Sequence, residues 1–126
     1  MENAKHAVLI VEDEMTMAKT MSDALTNEGF TTYIATDGEI GLKMALEKHP
    51  DLILTDLNMP NMDGLSMIHG IRKDDWGKGV EIIILTNVSD VAALETAMSE
   101  GTFYYMVKSD VSLADIVAKV KSRLLK

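Results

Sequence analysis

Most of the apolar runs in this sequence lead directly into a residue that could take part in chemistry. These residues are, in chain order, Glu12 and Asp13, Asp56, Thr86 and Lys108. Taken singly, a carboxylate at such a position is more often a helix cap than a reactive group. Carboxylates that come together raise one another's pKa unless a cation neutralises them. Because the set holds no His or Cys, its oxygen atoms favour a hard ion such as Mg²⁺.

Acidic oxygens, an ammonium group and a hydroxyl are together suited to phosphoryl transfer. Mg²⁺ and Lys108 would neutralise charge on the transferring phosphoryl oxygens, and Thr86 would add a hydrogen bond. No general base is needed, because an ionised aspartate is already a nucleophile that can form an acyl phosphate. Asp56 is therefore the best candidate for the nucleophile.

A parallel sheet would bring these residues together although they are far apart in the chain. The sequence alternates between apolar runs and stretches of helical period. Predicted strands cover residues 7–11, 31–35, 52–56, 80–85 and 102–107, and predicted helices cover residues 15–28, 36–48, 65–73, 89–101 and 112–124. Such alternation predicts an α/β fold with right-handed crossovers and helices on both faces of the sheet. The carboxyl ends of the strands then share one edge, where ligands collect.

Several polar residues are predicted to begin the helices. Thr36 and Glu39 have the spacing of a capping box for the second helix, as do Ser112 and Asp115 for the last one. Asp63 is the predicted cap of the third helix, and either Ser89 or Asp90 that of the fourth.

Composition limits the classes of function. The chain has 126 residues, a formal net charge of −8 and no cysteine. We expect one domain over residues 1–126, without disulfides or thiolate metal sites. The negative charge argues against direct binding of nucleic acid, and no apolar run approaches the roughly 20 residues of a membrane span. The expectation is a soluble, cytoplasmic protein.

The motifs at the strand ends resemble the receiver domain of two-component response regulators along essentially the whole chain. Order and intervals match that family throughout, including single-domain regulators of the chemotaxis kind. The resemblance is carried by Val11, Glu12, Asp13 and Glu14, by Asp56, Leu57, Asn58, Met59 and Pro60 with Asp63 and Gly64, by Leu85 and Thr86, and by Gly101, Tyr105, Met106, Val107 and Lys108.

The resemblance implies a chemical role for each matching position. It implies that Asp56 accepts a phosphoryl group from a histidine kinase or a histidine phosphotransfer protein. Glu12 and Asp13, together with Asp56 and the backbone carbonyl of Asn58, would hold Mg²⁺. Lys108 would pair with the phosphoryl group. The chain would then be a phosphoacceptor signalling domain rather than an enzyme acting on other molecules.

The resemblance also implies a conformational switch. Thr86 would turn toward the phosphoryl group, and the ring of Tyr105 would turn inward when the hydroxyl moves. Partner binding would change on the face formed by the fourth helix, fifth strand and fifth helix. The fold implied is a five-stranded doubly wound parallel sheet of order 2-1-3-4-5. The downstream partner stays unidentified, and the protein would be a monomer or a phosphorylation-dependent dimer.

Two residues depart from the family's usual pattern. Ser109 follows Lys108 where proline is usual, so we predict a trans or strained bond there and a shifted entry into the last helix, because a non-proline cis bond costs about 3 to 4 kcal/mol. Asn87 follows Thr86 where a small residue is usual. We predict that its amide partly covers the phosphoryl group and slows attack by water.

Other functions compete with this interpretation. A flavodoxin-like cofactor binder shares the strand order, but Glu12, Asp13 and Glu14 would repel a flavin phosphate. A phosphohydrolase with an aspartyl nucleophile would need a second aspartate where this chain has Asn58. A degenerate receiver that never takes phosphate is the third alternative. Within the leading hypothesis, we expect a complete single-domain regulator or relay protein rather than a fragment of a longer one.

Overall fold

The computed structural model of the chain describes residues 6–97 and 103–125. Five strands, β1 to β5, form one parallel sheet of order β2-β1-β3-β4-β5. The strands are Ala7–Val11, Thr31–Ala35, Leu52–Asp56, Glu81–Thr86 and Tyr104–Val107. Helices α1 to α5 are Met15–Asn27, Gly38–Lys48, Gly64–Lys73, Val91–Ala97 and Leu113–Leu124, and short 3₁₀ turns cover Trp76–Lys78, Val88–Asp90 and Lys108–Asp110. The predicted fold class and strand order are confirmed.

The sheet is covered by helices on both faces because its central strands are apolar on both sides. Alternate residues of a strand point to opposite faces. Leu9 and Ile53 belong to the hydrophobic cluster that α2 and α3 cover. Val8 and Leu54 belong to the other cluster, which α1 and α5 cover. These strands are buried on both faces, as parallel strands usually are.

The edge strands are less buried than the central ones. In β2, only Ala35 is buried, and all four residues of β5 are half-buried. The polar character of residues 31–35 had indicated a sheet edge, and this prediction is confirmed. Among the described residues, no helix has both the length and the apolar character that crossing a bilayer requires.

Some of the predicted helix boundaries are wrong by a few residues. Asp37, not Thr36, caps α2, because its side chain accepts a hydrogen bond from the backbone N–H of Ile40. Ser89 and Asp90, the predicted alternatives for the cap of α4, lie inside the 3₁₀ turn that leads into this helix, and the helix itself begins at Val91. The predicted end of that helix at Gly101, and the start of the fifth strand at Thr102, fall outside the described residues.

Other helix starts follow the sequence closely. Asp63 caps α3 by accepting from the backbone N–H of Ser66, as predicted. Ser112 and Asp115 form the predicted capping box of α5. These caps fix where the loops at the site end and where the helices begin.

Candidate functional site

The strand register brings the predicted residues to one edge of the sheet. Asp56, the last residue of β3, pairs with Leu85 of β4. Thr86 is the last residue of β4. Thr86 in turn pairs with the last residue of β5. Glu12 and Lys108 directly follow β1 and β5. The groups converge because neighbouring parallel strands end at nearly the same level.

Three carboxylates form the centre of this edge. Glu12, Asp13 and Asp56 each offer one oxygen atom, and these atoms all lie within 4.8 Å of one another. Glu12 is only 2% exposed, Asp56 is half-buried, and Asp13 is exposed. The cluster is therefore closed toward the sheet and open to solvent on the side of Asp13.

Lys108 supplies the positive charge nearest to these acids. Its Nζ lies 3.2 Å from Oδ2 of Asp56 and 3.7 Å from Oε1 of Glu12. The lysine side chain is 28% exposed, so the pair with Asp56 is partly shielded from water. One ammonium balances only part of the charge that three ionised carboxylates would carry.

Burial raises the pKa of Glu12 to about 7. The negative charge of Asp56 and a hydrogen bond with Asp13 contribute to this rise in pKa, whereas the backbone N–H of Glu14 and the charge of Lys108 oppose it. The Glu14 N–H donates to Oε2 of Glu12 over 3.1 Å. Oε1 is buried and, within the described residues, accepts no hydrogen bond. Such an oxygen can accept a cation at low cost.

The carboxylate of Asp56 is held in a defined orientation. Its Oδ1 accepts a hydrogen bond of 2.8 Å from the backbone N–H of Leu57, and its Oδ2 faces Lys108. The hydroxyl of Thr55 donates to the carbonyl of Asp56 over 2.8 Å. The two carboxylate oxygens therefore have different partners.

Thr86 is buried at 1% exposure, and its hydroxyl is already engaged. It donates over 3.1 Å to the backbone carbonyl of Asn87. The side chain of Asn87 is exposed. The peptide bond between Lys108 and Ser109 is trans, as predicted, and both residues lie in the 3₁₀ turn before α5.

Two contacts at this edge were not foreseen from the sequence. The phenol of Tyr105 donates to Oε2 of Glu95 in α4 over 3.1 Å, and this bond raises the pKa of Tyr105. Asn58, which is exposed, uses its side-chain amide to reach Oδ2 of Asp90 over 3.2 Å. Neither acceptor lies in a local motif, so no spacing rule could have identified the pairs.

The acid cluster fits a hard divalent cation. Its donors are all carboxylate oxygens, which Mg²⁺ prefers, and Glu12 carries a buried Oε1 that accepts no hydrogen bond from the described residues. Magnesium keeps several waters and uses few protein ligands, which agrees with the open side of the cluster.

Comparison with known proteins gives the family. The sequence model described as "Response regulator receiver domain" matches residues 8–121. The DNA-binding response regulator MtrA of Mycolicibacterium smegmatis is 32% identical over 98% of this chain and 53% of its own length. A probable chemotaxis protein CheY of Rhizobium etli is 38% identical over 82% of this chain and 81% of its own. The chain thus spans about half the length of MtrA and most of the CheY relative.

Solved structures agree with these matches. The receiver domain of the sensor histidine kinase PA1611 of Pseudomonas aeruginosa superposes with a TM-score of 0.84 at 25% identity, covering 96% of this chain and 98% of that one. That structure has a magnesium ion coordinated in its active-site cleft. The sheet order, the acidic edge and the family match together show that this chain belongs to the response regulator receiver domain family, the signalling phosphoacceptor domains of two-component systems.

Proposed function

We propose that this chain takes a phosphoryl group onto Asp56 from a histidine kinase or a histidine phosphotransfer protein, in a reaction that needs Mg²⁺. The main support is the position of Asp56 within 3.2 Å of Lys108 and among carboxylates that can share a metal ion. In this proposal residues 1–126 act as one receiver domain, in the cytoplasm. Family membership favours this function over a flavin carrier or a phosphohydrolase.

The carboxylate of Asp56 is the nucleophile in the transfer step. Oδ1 is held by the Leu57 N–H, and an oxygen of the ionised carboxylate forms the new bond to phosphorus. The phosphorus–nitrogen bond of the donor's phosphohistidine breaks as this bond forms. Its electron pair stays on the imidazole nitrogen, which then takes a proton. The product is an acyl phosphate on Asp56.

Charge stabilisation comes from the groups that surround Asp56. In the proposal Glu12, Asp13, Asp56 and the backbone carbonyl of Asn58 hold Mg²⁺, which when bound neutralises charge on the phosphoryl oxygens. Lys108 adds a second positive charge from the side of β5. It moves from pairing with the carboxylate of Asp56 to pairing with the new phosphoryl group.

The response to phosphorylation is a change of partner for Thr86. Its hydroxyl leaves the carbonyl of Asn87 and donates to a phosphoryl oxygen, which has more negative charge. The movement releases Tyr105 from Glu95, and the ring turns inward. The face formed by α4, β5 and α5 is then altered for a downstream protein or for a second copy of the chain.

Intact mass after incubation with acetyl phosphate tests the proposal. The parent protein in Mg²⁺ should gain one phosphoryl group, whereas protein in EDTA and the Asp56→Asn variant should gain none. A gain that survives the loss of Asp56 would place the modification on another residue. No gain under any condition would favour the degenerate receiver, which acts as a constitutive binding module.

A further inference from the structure

The loop that joins β3 to α3 carries Asn58, whose carbonyl is assigned above to Mg²⁺. This loop, residues 57–63, is tightly folded. The N–H of Gly64 donates to the carbonyl of Leu57 and that of Met62 to the carbonyl of Pro60, each over 2.7 Å. A Cβ atom on Gly64 would lie 2.6 Å from the carbonyl oxygen of Asp56. The loop therefore folds back against the strand that bears Asp56.

A hydrogen bond to another part of the chain fixes the outer side of this loop. The side-chain amide of Asn61 donates to Oδ2 of Asp37 over 2.7 Å. Asp37 is 7% exposed, and its other oxygen accepts the N–H of Ile40 at the start of α2 over 2.8 Å. These two donors lower the pKa of Asp37 and so favour its ionised form. Hydrogen bonds to ionised acceptors are stronger than those between neutral groups.

The backbone of the loop is adapted to this contact. Asn61 has a φ of 68°, in the left-handed region that only glycine, asparagine and aspartate enter readily. The loop also lies directly on α2, because a Cβ atom on Gly38 would clash with the carbonyl oxygen of Met62. The loop is thus anchored to the first residues of α2 through both side chain and backbone.

We propose that Asp37 and Asn61 are positioning residues for the metal site: their hydrogen bond holds the loop so that the carbonyl of Asn58 faces the acid cluster. This inference rests on the proposed Mg²⁺ function. The hydrogen bond from Asn58 to Asp90 is longer and exposed, so it restrains the loop less. Outer groups that orient a metal ligand commonly change metal affinity by about 10- to 100-fold.

Two variants break this hydrogen bond, one from each side. Asn61→Gly removes the amide and keeps a backbone that accepts a positive φ. Asp37→Ser keeps a residue that caps α2 well but is too short to reach Asn61. Asp51→Ser is the matched control, because it removes a carboxylate whose Oδ2 accepts the backbone N–H of Ala7 at the opposite end of the sheet, away from the loop.

The measurement is the dissociation constant for Mg²⁺ alone, by calorimetry, for parent, both single variants, the double variant and the control. We expect each single variant to bind Mg²⁺ about three- to tenfold more weakly, and the control within about twofold of the parent. The double variant should be no weaker than the weaker single one, because both changes break the same bond. Amide exchange in residues 57–63, measured without metal, should be faster in both single variants.

Three results would overturn the inference. The first is parent-like affinity in both single variants while the parent binds Mg²⁺. The second is a control that loses as much affinity as the variants, and the third is additive losses in the double variant. A parent that binds no Mg²⁺ is a different failure, since it refutes the proposed metal dependence itself and this inference with it.

Discussion

Two strands that end at the site, β3 and β5, differ sharply in their surroundings. β3 pairs with β1 on one side and β4 on the other, and Leu52, Ile53 and Leu54 are 0% exposed. β5 is an edge strand of four residues, all of them half-buried. The carboxylate proposed to accept the phosphoryl group therefore ends one of the most deeply packed strands of the sheet, and Lys108 follows one of the least packed strands.

The difference extends to the contacts beside each strand. Asp56 is oriented by the Leu57 N–H and by a partly shielded ion pair, whereas Tyr105 is tied to α4 by an exposed hydrogen bond to Glu95. Regions with little buried apolar contact and exposed hydrogen bonds open most easily. The structure thus separates a firm part, β1 and β3 with the residues that end them, from a softer part, residues 86–97 and 103–110. We propose that the firm part holds the reacting groups and that the softer part responds.

The largest effect on the rate of phosphorylation is expected at Lys108, which follows β5 and pairs with Asp56. Lys108→Met removes the positive charge nearest to Asp56, so phosphorylation by acetyl phosphate should slow by about 100-fold. Lys121→Met is the control, because Lys121 forms an exposed pair with Glu28 and lies outside the site. Rates from intact mass against time would test this. A change of less than about threefold in Lys108→Met would mean that charge from β5 does not assist the transfer.

The variant Glu12→Gln tests how much the buried carboxylate at the end of β1 lowers the free energy of unfolding. The pKa of Glu12 is raised to about 7 in the metal-free fold, so its folded form holds a proton more tightly than its unfolded form. The tighter binding of the proton stabilises the folded state at low pH. This stabilisation is lost as the pH rises through 7. Glu12→Gln should therefore raise the free energy of unfolding by about 2 to 3 kcal/mol near pH 8 and by much less near pH 5.

Urea unfolding in EDTA at the two pH values measures this difference. The same variant should bind Mg²⁺ more weakly, because it replaces a carboxylate ligand. An equal gain in stability at both pH values would show that the benefit comes from packing and not from removing a buried charge.

Asn87, which follows β4, tests whether a side-chain amide next to Thr86 prolongs the phosphorylated state. If its amide covers the phosphoryl group, Asn87→Ala should shorten the lifetime of phosphorylated protein by about threefold to tenfold, which corresponds to one hydrogen bond. Ser89→Ala, an exposed neighbour in the next turn, should leave the lifetime unchanged. Loss of phosphate after removal of the donor gives the rate, and equal lifetimes for parent and Asn87→Ala would refute the idea.

The contact between Tyr105 and Glu95 should have the smallest effect on stability. Because it is exposed, Glu95→Ala should change the free energy of unfolding by only about 0.5 kcal/mol. It should also free the ring of Tyr105. Phosphorylation should then be about twofold faster, since the movement of Tyr105 that accompanies it no longer has to break this hydrogen bond. Tyr105→Phe should do the same, and the pair of changes no more. Slower phosphorylation in both variants would contradict a restraining role.

The sequence predicts the firm part well because that part obeys local rules. Apolar runs of five or six residues identify buried strands, and alternation with helices gives their parallel order. The positions of Asp56 and Thr86 at strand ends follow from that order alone, and their roles in phosphorylation stay predictions. Ser112 and Asp63 begin their helices as expected, because a cap bonds to residues two or three positions away.

The errors and omissions have a common physical cause. Thr36 and Asp37 are both good caps, and Asp37, the one observed, also accepts a hydrogen bond from Asn61, which is 24 residues away. Glu95 and Asp90 likewise find partners in other elements, through side chains whose directions no local pattern specifies. Contacts of this kind depend on the finished packing, and they are concentrated in the softer part and in the loop after β3.

Hydrogen exchange before and after phosphorylation tests most directly whether the firm and the soft part have separate tasks. Backbone amides should be compared in protein with acetyl phosphate and Mg²⁺ and in Asp56→Asn under the same conditions. We predict that exchange changes in residues 86–97 and 103–110, and that the amides of β1 and β3 keep their protection. Equal changes in β1 and β3, or none in residues 86–97 and 103–110 of fully phosphorylated protein, would contradict the account.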